Sequence, residues 1–279
     1  MFWWAIVFLA VILIGVTKSG FGSGAGLMIV PMVAIALGHI PGRGSEVALG
    51  MLLPLLIAGD LLAVWQYHRL FFPPAGAVLG GQEIQARLVL RRLLPGTIVG
   101  VLLGGTLLWV IHQKTELVSA LIRIEVGIES ILLVSLHWWR VWRGVQQRLM
   151  PEPWRSQLTG GFAGVSSTLA HAAGPIIAMY FLPLRLDRAM FVGACAVYFF
   201  ILNTAKLPAY WFSGQFAHIE LSFTLKFLPL VVVGAVAGRW INQRLNDRLF
   251  ITIVYFVTFM LGWYILADGV LRLFGRHIA

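Results

Sequence analysis

The sequence predicts an all-α polytopic membrane protein whose two halves are inverted repeats of about five helical elements each. Three observations carry that expectation. Hydrophobic residues make up 59% of the 279 and charged residues only 11%, with a mean hydropathy of +0.86, whereas about a quarter of the residues in soluble domains are charged. Apolar runs fall at about 2–16, 22–37, 46–66, 93–111, 117–139, 157–170, 173–184, 189–207, 223–242 and 249–267, five on each side of residue 150. A pattern of Leu-Pro, four residues, Gly, three residues, Gly occurs at Leu94-Pro95, Gly100 and Gly104, and again at Leu228-Pro229, Gly234 and Gly238. At about 20 residues per spanning helix, such runs leave no space for a separate soluble domain. Any function must lie inside the bundle.

The first run, MFWWAIVFLAVILIGV, has no basic residue ahead of it and no small-residue cleavage site after it. It reads as a retained helix and not a signal peptide, with Trp3 and Trp4 suited to an interfacial anchor. The first two runs of each half are too short to cross an apolar core of about 30 Å comfortably, and each pair is split by Gly, Ser or Thr. They are expected to be short, broken or re-entrant elements. The third elements carry Asp60 and Asn203, which pair in the repeat alignment, as do Gly50 with Gly193 and Gly26 with Gly174. The fourth carry the Gly-x3-Gly spacing, which also suits close helix packing. In the fifth element of the first half, Glu125 and Glu129 are four apart on one helical face, an arrangement for a structural pair or a homo-oligomer contact. Cys195 is the one cysteine; it has no disulfide partner and reads as a packing residue.

The net charge of +10 would suggest nucleic acid in a soluble protein. Here its distribution gives orientation instead. Twelve arginines (69, 87, 91, 92, 140, 143, 148, 155, 185, 188, 244 and 248) fall on one side, against Arg43, Lys114, Lys226, Arg272 and Arg276 on the other. Basic residues collect in the cytoplasm, so residues 67–92 and 140–156 are expected to be cytoplasmic loops and both termini extracytoplasmic. The first repeat then spans 1–150 and the second 151–279. An odd number of crossings per half makes the repeats inverted.

The chemistry concentrates at the two breaks and just beyond them. The first reads Gly15-Val-Thr-Lys18-Ser19-Gly20-Phe-Gly22-Ser-Gly24-Ala-Gly26; alternating glycines disfavour helix, by about 1 kcal/mol each, and suit exposed backbone. Where such a segment opens a helix, its free N–H groups and the positive dipole end form an anion site, to which Lys18 adds a full charge. The second break places Ser166, Ser167, Thr168 and His171 ahead of Gly174-Pro175, where hydroxyls and backbone amides can replace an anion's water shell. Asn203 and Lys206 follow in the next long run. Asp60 must pair with a cation or titrate, so it and His171 are the candidate coupling groups. Lys18, Lys206 and Asp60 also fit interfacial positions, the two lysines with their long stems in the apolar layer. Ser167 and His171, four apart, invite comparison with an intramembrane Ser/His hydrolase, yet no G-x-S-x-G, H-E-x-x-H, C-x-x-C or P-loop occurs. No cofactor or metal motif is present, and nucleic acid is not an expected partner.

At these residues the chain resembles the TauE/SafE-type sulfite exporter family, also called the 4-toluene sulfonate uptake permease family. The stretches that carry the resemblance are GVTKSGFGSGAGLMIVP (15–31), GFAGVSSTLAHAAGP (161–175), LPLRLDRAMFVG (182–193) and FFILNTAKLPAYWFSGQF (199–216). The resemblance implies an inner-membrane secondary transporter of sulfite, organosulfonates or related small anions, with export the default direction. An importer or channel for another small anion stays open at this stage. Substrate-binding candidates are Lys18, Ser19, Gly20, Gly22, Gly24, Gly26, Ser167, Thr168, His171, Gly174, Asn203 and Lys206.

The basic bias and the odd crossing number yield a topology test. Reporter fusions at residue 150 and at the C-terminus are expected in opposite compartments, the former cytoplasmic; the same compartment for both would sink the inverted arrangement.

Overall fold

A computed structural model of the chain describes residues 2–22, 26–37, 45–72, 80–111, 115–144, 152–181 and 184–274. It is all-helical in the described residues. In order come α1 (Phe2–Gly20), α2 (Gly26–Leu37), α3 (Ser45–Phe71), α4 (Gly81–Ile111), α5 (Thr115–Trp142), α6 (Pro153–Ala170), α7 (Gly174–Phe181), α8 (Arg188–Phe212), α9 (Leu221–Arg244) and α10 (Asp247–Leu273), with a 3-10 turn at Gln215–His218. Five of these helices, α1, α3, α4, α8 and α9, are long and apolar enough to cross a membrane. Their ends follow local chemistry. Pro153 opens α6, where its missing N–H costs nothing, and Asp187 caps α8 by accepting from the Met190 N–H at 2.8 Å.

The helices outrun the apolar stretches that announce them. The 67–92 segment is not one long loop, because α3 continues to Phe71 and α4 starts at Gly81; residues 73–79 lie outside the described set. At 31 residues, α4 is about 46 Å long, so its first turns, with Arg87, Arg91 and Arg92, extend beyond an apolar core of about 30 Å. The 140–156 segment narrows likewise between Trp142 and Pro153. Gln, Glu and Arg are good helix formers, so hydrogen-bonded turns propagate past the point where hydropathy falls.

The same effect corrects the expectation that the first two elements of each half are both short. Thr17, Lys18, Ser19 and Gly20 are still helical in α1, and Ser166, Ser167 and Thr168 are still helical in α6. Thr17 and Thr168 donate their hydroxyls back to Leu13 O (2.6 Å) and Gly164 O (2.8 Å), which removes their conflict with the helix. At 19 and 18 residues, α1 and α6 have spanning length. Among the described residues, α2, with 12, and α7, with 8, are the two short elements, at about 18 and 12 Å.

Four helix pairs dominate the packing: α1 on α9, α4 on α6, α3 on α8 and α5 on α10. One apolar cluster joins α1, α2 and α3 to α9, through residues such as Ile14, Val33, Leu52 and Val231. A second joins α6, α7 and α8 to α4, through Ala163, Ile177, Val192 and Leu93, and takes in Phe71 at the end of α3. Glu125 and Glu129 lie on α5, but their side chains fall outside the described set.

Small residues set the separation in the first two pairs. A methyl group on Gly15 would come within 2.2 Å of Val231 O, and one on Gly234 within 2.2 Å of Ile12 O. Across the other pair, the corresponding distances are 2.1 Å from Gly100 to Gly161 O and 2.4 Å from Gly164 to Thr97 O. Backbone thus meets backbone on both sides, which only glycine permits. Gly234→Ala and Gly100→Ala should each lower stability by about 1–3 kcal/mol through overpacking, read as thermal unfolding in detergent. Gly81, with nothing within 4 Å of an added methyl, is the comparison site: Gly81→Ala should stay within about 0.5 kcal/mol.

Candidate functional site

Four residues of α8 lie on one face at helical spacing: Phe199, Asn203, Lys206 and Tyr210. All are buried, Lys206 completely. They face α3, where Asp60 is equally inaccessible. A charge in such surroundings is tolerated only with a partner, and the fold supplies one from a third helix. Lys18, in the last turn of α1, lays its stem across Gly59 and places Nζ 2.7 Å from Asp60 Oδ1. The same ammonium stands 4.3 Å from the centre of the Phe199 ring, a cation–π contact that strengthens where water is excluded. The C-terminal turn of α1 also favours a cation through the helix dipole.

From Asp60 a continuous hydrogen-bonded chain runs across the bundle. Asn203 donates its Nδ2 to Asp60 Oδ2 at 2.6 Å. Its Oδ1 accepts from Lys206 Nζ at 2.9 Å, so the amide is oriented by a carboxylate on one side and an ammonium on the other. Lys206 Nζ makes a second contact with His171 Nδ1 at 2.8 Å, and His171 Nε2 lies 3.1 Å from Leu49 O. A carbonyl only accepts, which puts the ring proton on Nε2 and leaves Nδ1 to accept from Lys206. With both lysines and the carboxylate ionised, the chain has a formal net charge of +1.

His171 reaches this position because α6 ends there. Its backbone is left-handed, with φ 54° and ψ 30°, and the His171 and Ala172 N–H groups bond to the carbonyls of Ser167 and Ser166 at 2.9 and 3.4 Å. A residue other than Gly in this region carries strain. Gly22 closes the first break in the same region, at φ 69°, with Val192 Cα 3.0 Å from where a methyl would sit.

The remaining expected residues divide. Ser19 is buried beside Lys18, its carbonyl accepts from Tyr67 Oη at 2.8 Å, and its hydroxyl has no hydrogen-bond partner among the described residues. Ser167 is buried on α6. Thr168 turns its side chain to Gly104 and its carbonyl accepts from Tyr210 Oη at 3.0 Å, so it serves helix contact. Gly20 ends α1 against Gly238, Gly26 opens α2 and Gly174 opens α7. Gly24 lies outside the described residues.

Sequence reasoning missed Phe199, the Leu49 carbonyl, Tyr67, Tyr210 and Asn242, whose Nδ2 donates to Gly20 O at 2.7 Å. A signal for the tyrosines was present: Tyr67 follows Asp60, and Tyr210 follows Asn203, by seven residues. Nothing in the chain announced Leu49 O or Asn242, because backbone carbonyls and distant caps have no sequence pattern.

A family model described as Sulfite exporter TauE/SafE matches residues 7–265. The chain belongs to the TauE/SafE sulfite exporter family. The match takes in every helix that contributes to the polar chain, and with the apolar helices it makes this a multi-pass membrane transport protein. No curated protein and no solved structure gave a match.

The Lys18–Asp60 pair can be tested by stability alone. Lys18→Met strands a buried carboxylate and should cost about 3–5 kcal/mol, whereas the double replacement Lys18→Met/Asp60→Leu should recover most of it, since a buried pair replaced by apolar groups of similar size is often neutral. Chemical or thermal unfolding in detergent gives the comparison.

Proposed function

We propose that this TauE/SafE member is a secondary transporter of a compact oxyanion, sulfite or a small sulfonate, and that it works by alternating access between two inverted repeats, residues 1–150 and 151–279, with both termini extracytoplasmic. The observation that carries the reading is the buried, net-positive chain Lys18–Asp60–Asn203–Lys206–His171, which draws on both halves. An anion reaching it meets two lysine side chains and the Ser19 hydroxyl, which has no hydrogen-bond partner among the described residues, with Ser167 close by in sequence to His171. Several donors around one centre favour a ligand with several acceptor oxygens. The choice of sulfite, and export as the direction, come from the family.

Paired contacts support the repeat. Tyr67 Oη donates to Ser19 O and Tyr210 Oη to Thr168 O, matching bonds in the two halves, and each Leu-Pro-x4-Gly-x3-Gly helix packs on the first helix of the opposite half. On this reading the broken pairs α1/α2 and α6/α7 flank the site, as the half-helices of inverted-repeat transporters flank substrate near the midplane. The Ser/His hydrolase reading loses support, because both His171 nitrogens are committed to Lys206 and Leu49 O and neither is left to take a proton from Ser167.

An anion panel decides the question. Sulfite should raise the melting temperature of purified protein, as any ligand selective for the folded state does, and should cross proteoliposome membranes. Lys206→Met should weaken sulfite binding by about 1.5–3 kcal/mol, the range for a charge-assisted hydrogen bond. Neither stabilisation nor flux with any oxyanion would overturn the proposal.

A further inference from the structure

Two groups in the polar chain, His171 and Asp60, have a protonatable atom, and the geometry separates them. His171 is enclosed by the Lys206 ammonium at Nδ1 and by Leu49 O at Nε2; a second proton on its ring would set two cations face to face at 2.8 Å. Asp60 is different. Its Oδ2 accepts from Asn203 Nδ2, and that amide cannot turn over without presenting its NH2 group to the Lys206 ammonium, which now donates to its Oδ1. Oδ2 is therefore reserved as an acceptor. The other oxygen, Oδ1, meets only Lys18 among the described residues, and Lys18 is the member of the pair whose side chain retains exposure, 11% against none for Asp60.

A monoanion can share the Lys18 ammonium with Asp60, whereas a dianion draws it away and removes the counter-ion of a fully buried carboxylate. The carboxylate must then be neutralised. We infer that Asp60 Oδ1 is a proton-binding site filled together with a dianionic substrate, so that the transporter carries one net negative charge per anion: a monoanion alone, or a dianion with one proton on Asp60. The inference rests on the anion-transport reading above. Charge balance gives the rule. With Lys18 and Lys206 as ammonium groups and Asp60 as carboxylate, the empty chain carries a formal +1, a monoanion brings it to zero, a dianion to −1, and a dianion with one proton back to zero. The added O–H points where Lys18 now lies and donates to an oxygen of the bound anion, while Asn203 keeps its bond to Oδ2. No atom is exchanged; the proton comes from solvent and leaves with the anion.

The other charged groups near α3 do not compete for this role. From α1 only Lys18 faces Asp60, from α8 Asn203 and Lys206, and from beyond α6 His171. On α9, Arg239 lies over the Tyr67 ring, at 5.8 Å. On α4, Arg87 donates to Phe71 O, about three turns beyond Asp60. His218 sits against Gly50, almost three turns before Asp60, and α2 has no titratable side chain.

The test uses two anions whose own charge is fixed near neutral pH, sulfate and methanesulfonate, added to purified protein in weak buffer with a pH dye. About one proton should be taken up per sulfate bound and none per methanesulfonate, and sulfate affinity in the wild type should fall about tenfold per pH unit where Asp60 is deprotonated in the free protein, since binding and protonation are reciprocally linked. Methanesulfonate affinity should stay flat over the same range. Asp60→Asn, which copies the protonated shape, should bind sulfate with no proton uptake and no pH dependence. Binding of both anions without proton uptake, or uptake that survives Asp60→Asn, or binding of methanesulfonate alone, overturns the inference while leaving anion transport intact. Binding of neither anion, with no stabilisation by sulfite, removes the transport reading and this one with it. Should Asp60→Asn fail to fold, the wild-type pH slopes for the two anions still decide.

Discussion

A single carboxylate in the interior of an apolar bundle governs the rest of the site. Asp60 has no access to water, and the cost of burying a bare charge far exceeds the net stability of most proteins. Lys18, Asn203, Lys206 and His171 each answer a need created by the previous one: Lys18 offsets the charge, Asn203 fills the second oxygen, Lys206 orients Asn203, and His171 accepts from Lys206. The chain ends on a backbone carbonyl, Leu49 O, which needs no further partner.

The scaffold exists to bring those residues within reach. Lys18 meets α3 because α1 is drawn against α9 by glycines at positions 15, 20, 234 and 238. Breaking α1 and α6 inside the bundle frees backbone carbonyls that lipid cannot satisfy. Tyr67, Tyr210 and Asn242 bind three of them, at Ser19, Thr168 and Gly20. The cost of discontinuity is thereby offset by side chains from helices that also line the polar chain or flank it, so the breaks and the site are one construction.

Charge then links this construction to transport. We propose this formally positive centre as the anion site because it suits a ligand that brings negative charge and several acceptors, and the TauE/SafE family points to sulfite and related small anions. A Ser167–His171 hydrolase would need a free imidazole nitrogen, and His171 is occupied at both.

The sequence by itself determined the number and order of the helices, because apolar length and glycine placement are local properties, and each apolar run became one helix. It also singled out Lys18, Asp60, His171, Asn203 and Lys206, since polar residues in such a chain are few and costly to bury. Helix ends were beyond it: hydropathy marks where lipid ends, while hydrogen-bonded turns run on through Thr17–Gly20, Ser166–Thr168 and the start of α4. Partner choice was beyond it too. Lys18 with Asp60, and Lys206 with His171 rather than with Asp60, follow from which helix faces meet, and so does the diversion of Thr168 to Gly104. Those pairings join residues between 35 and 64 positions apart, and only the tertiary packing of α1, α3, α4, α6 and α8 could decide them.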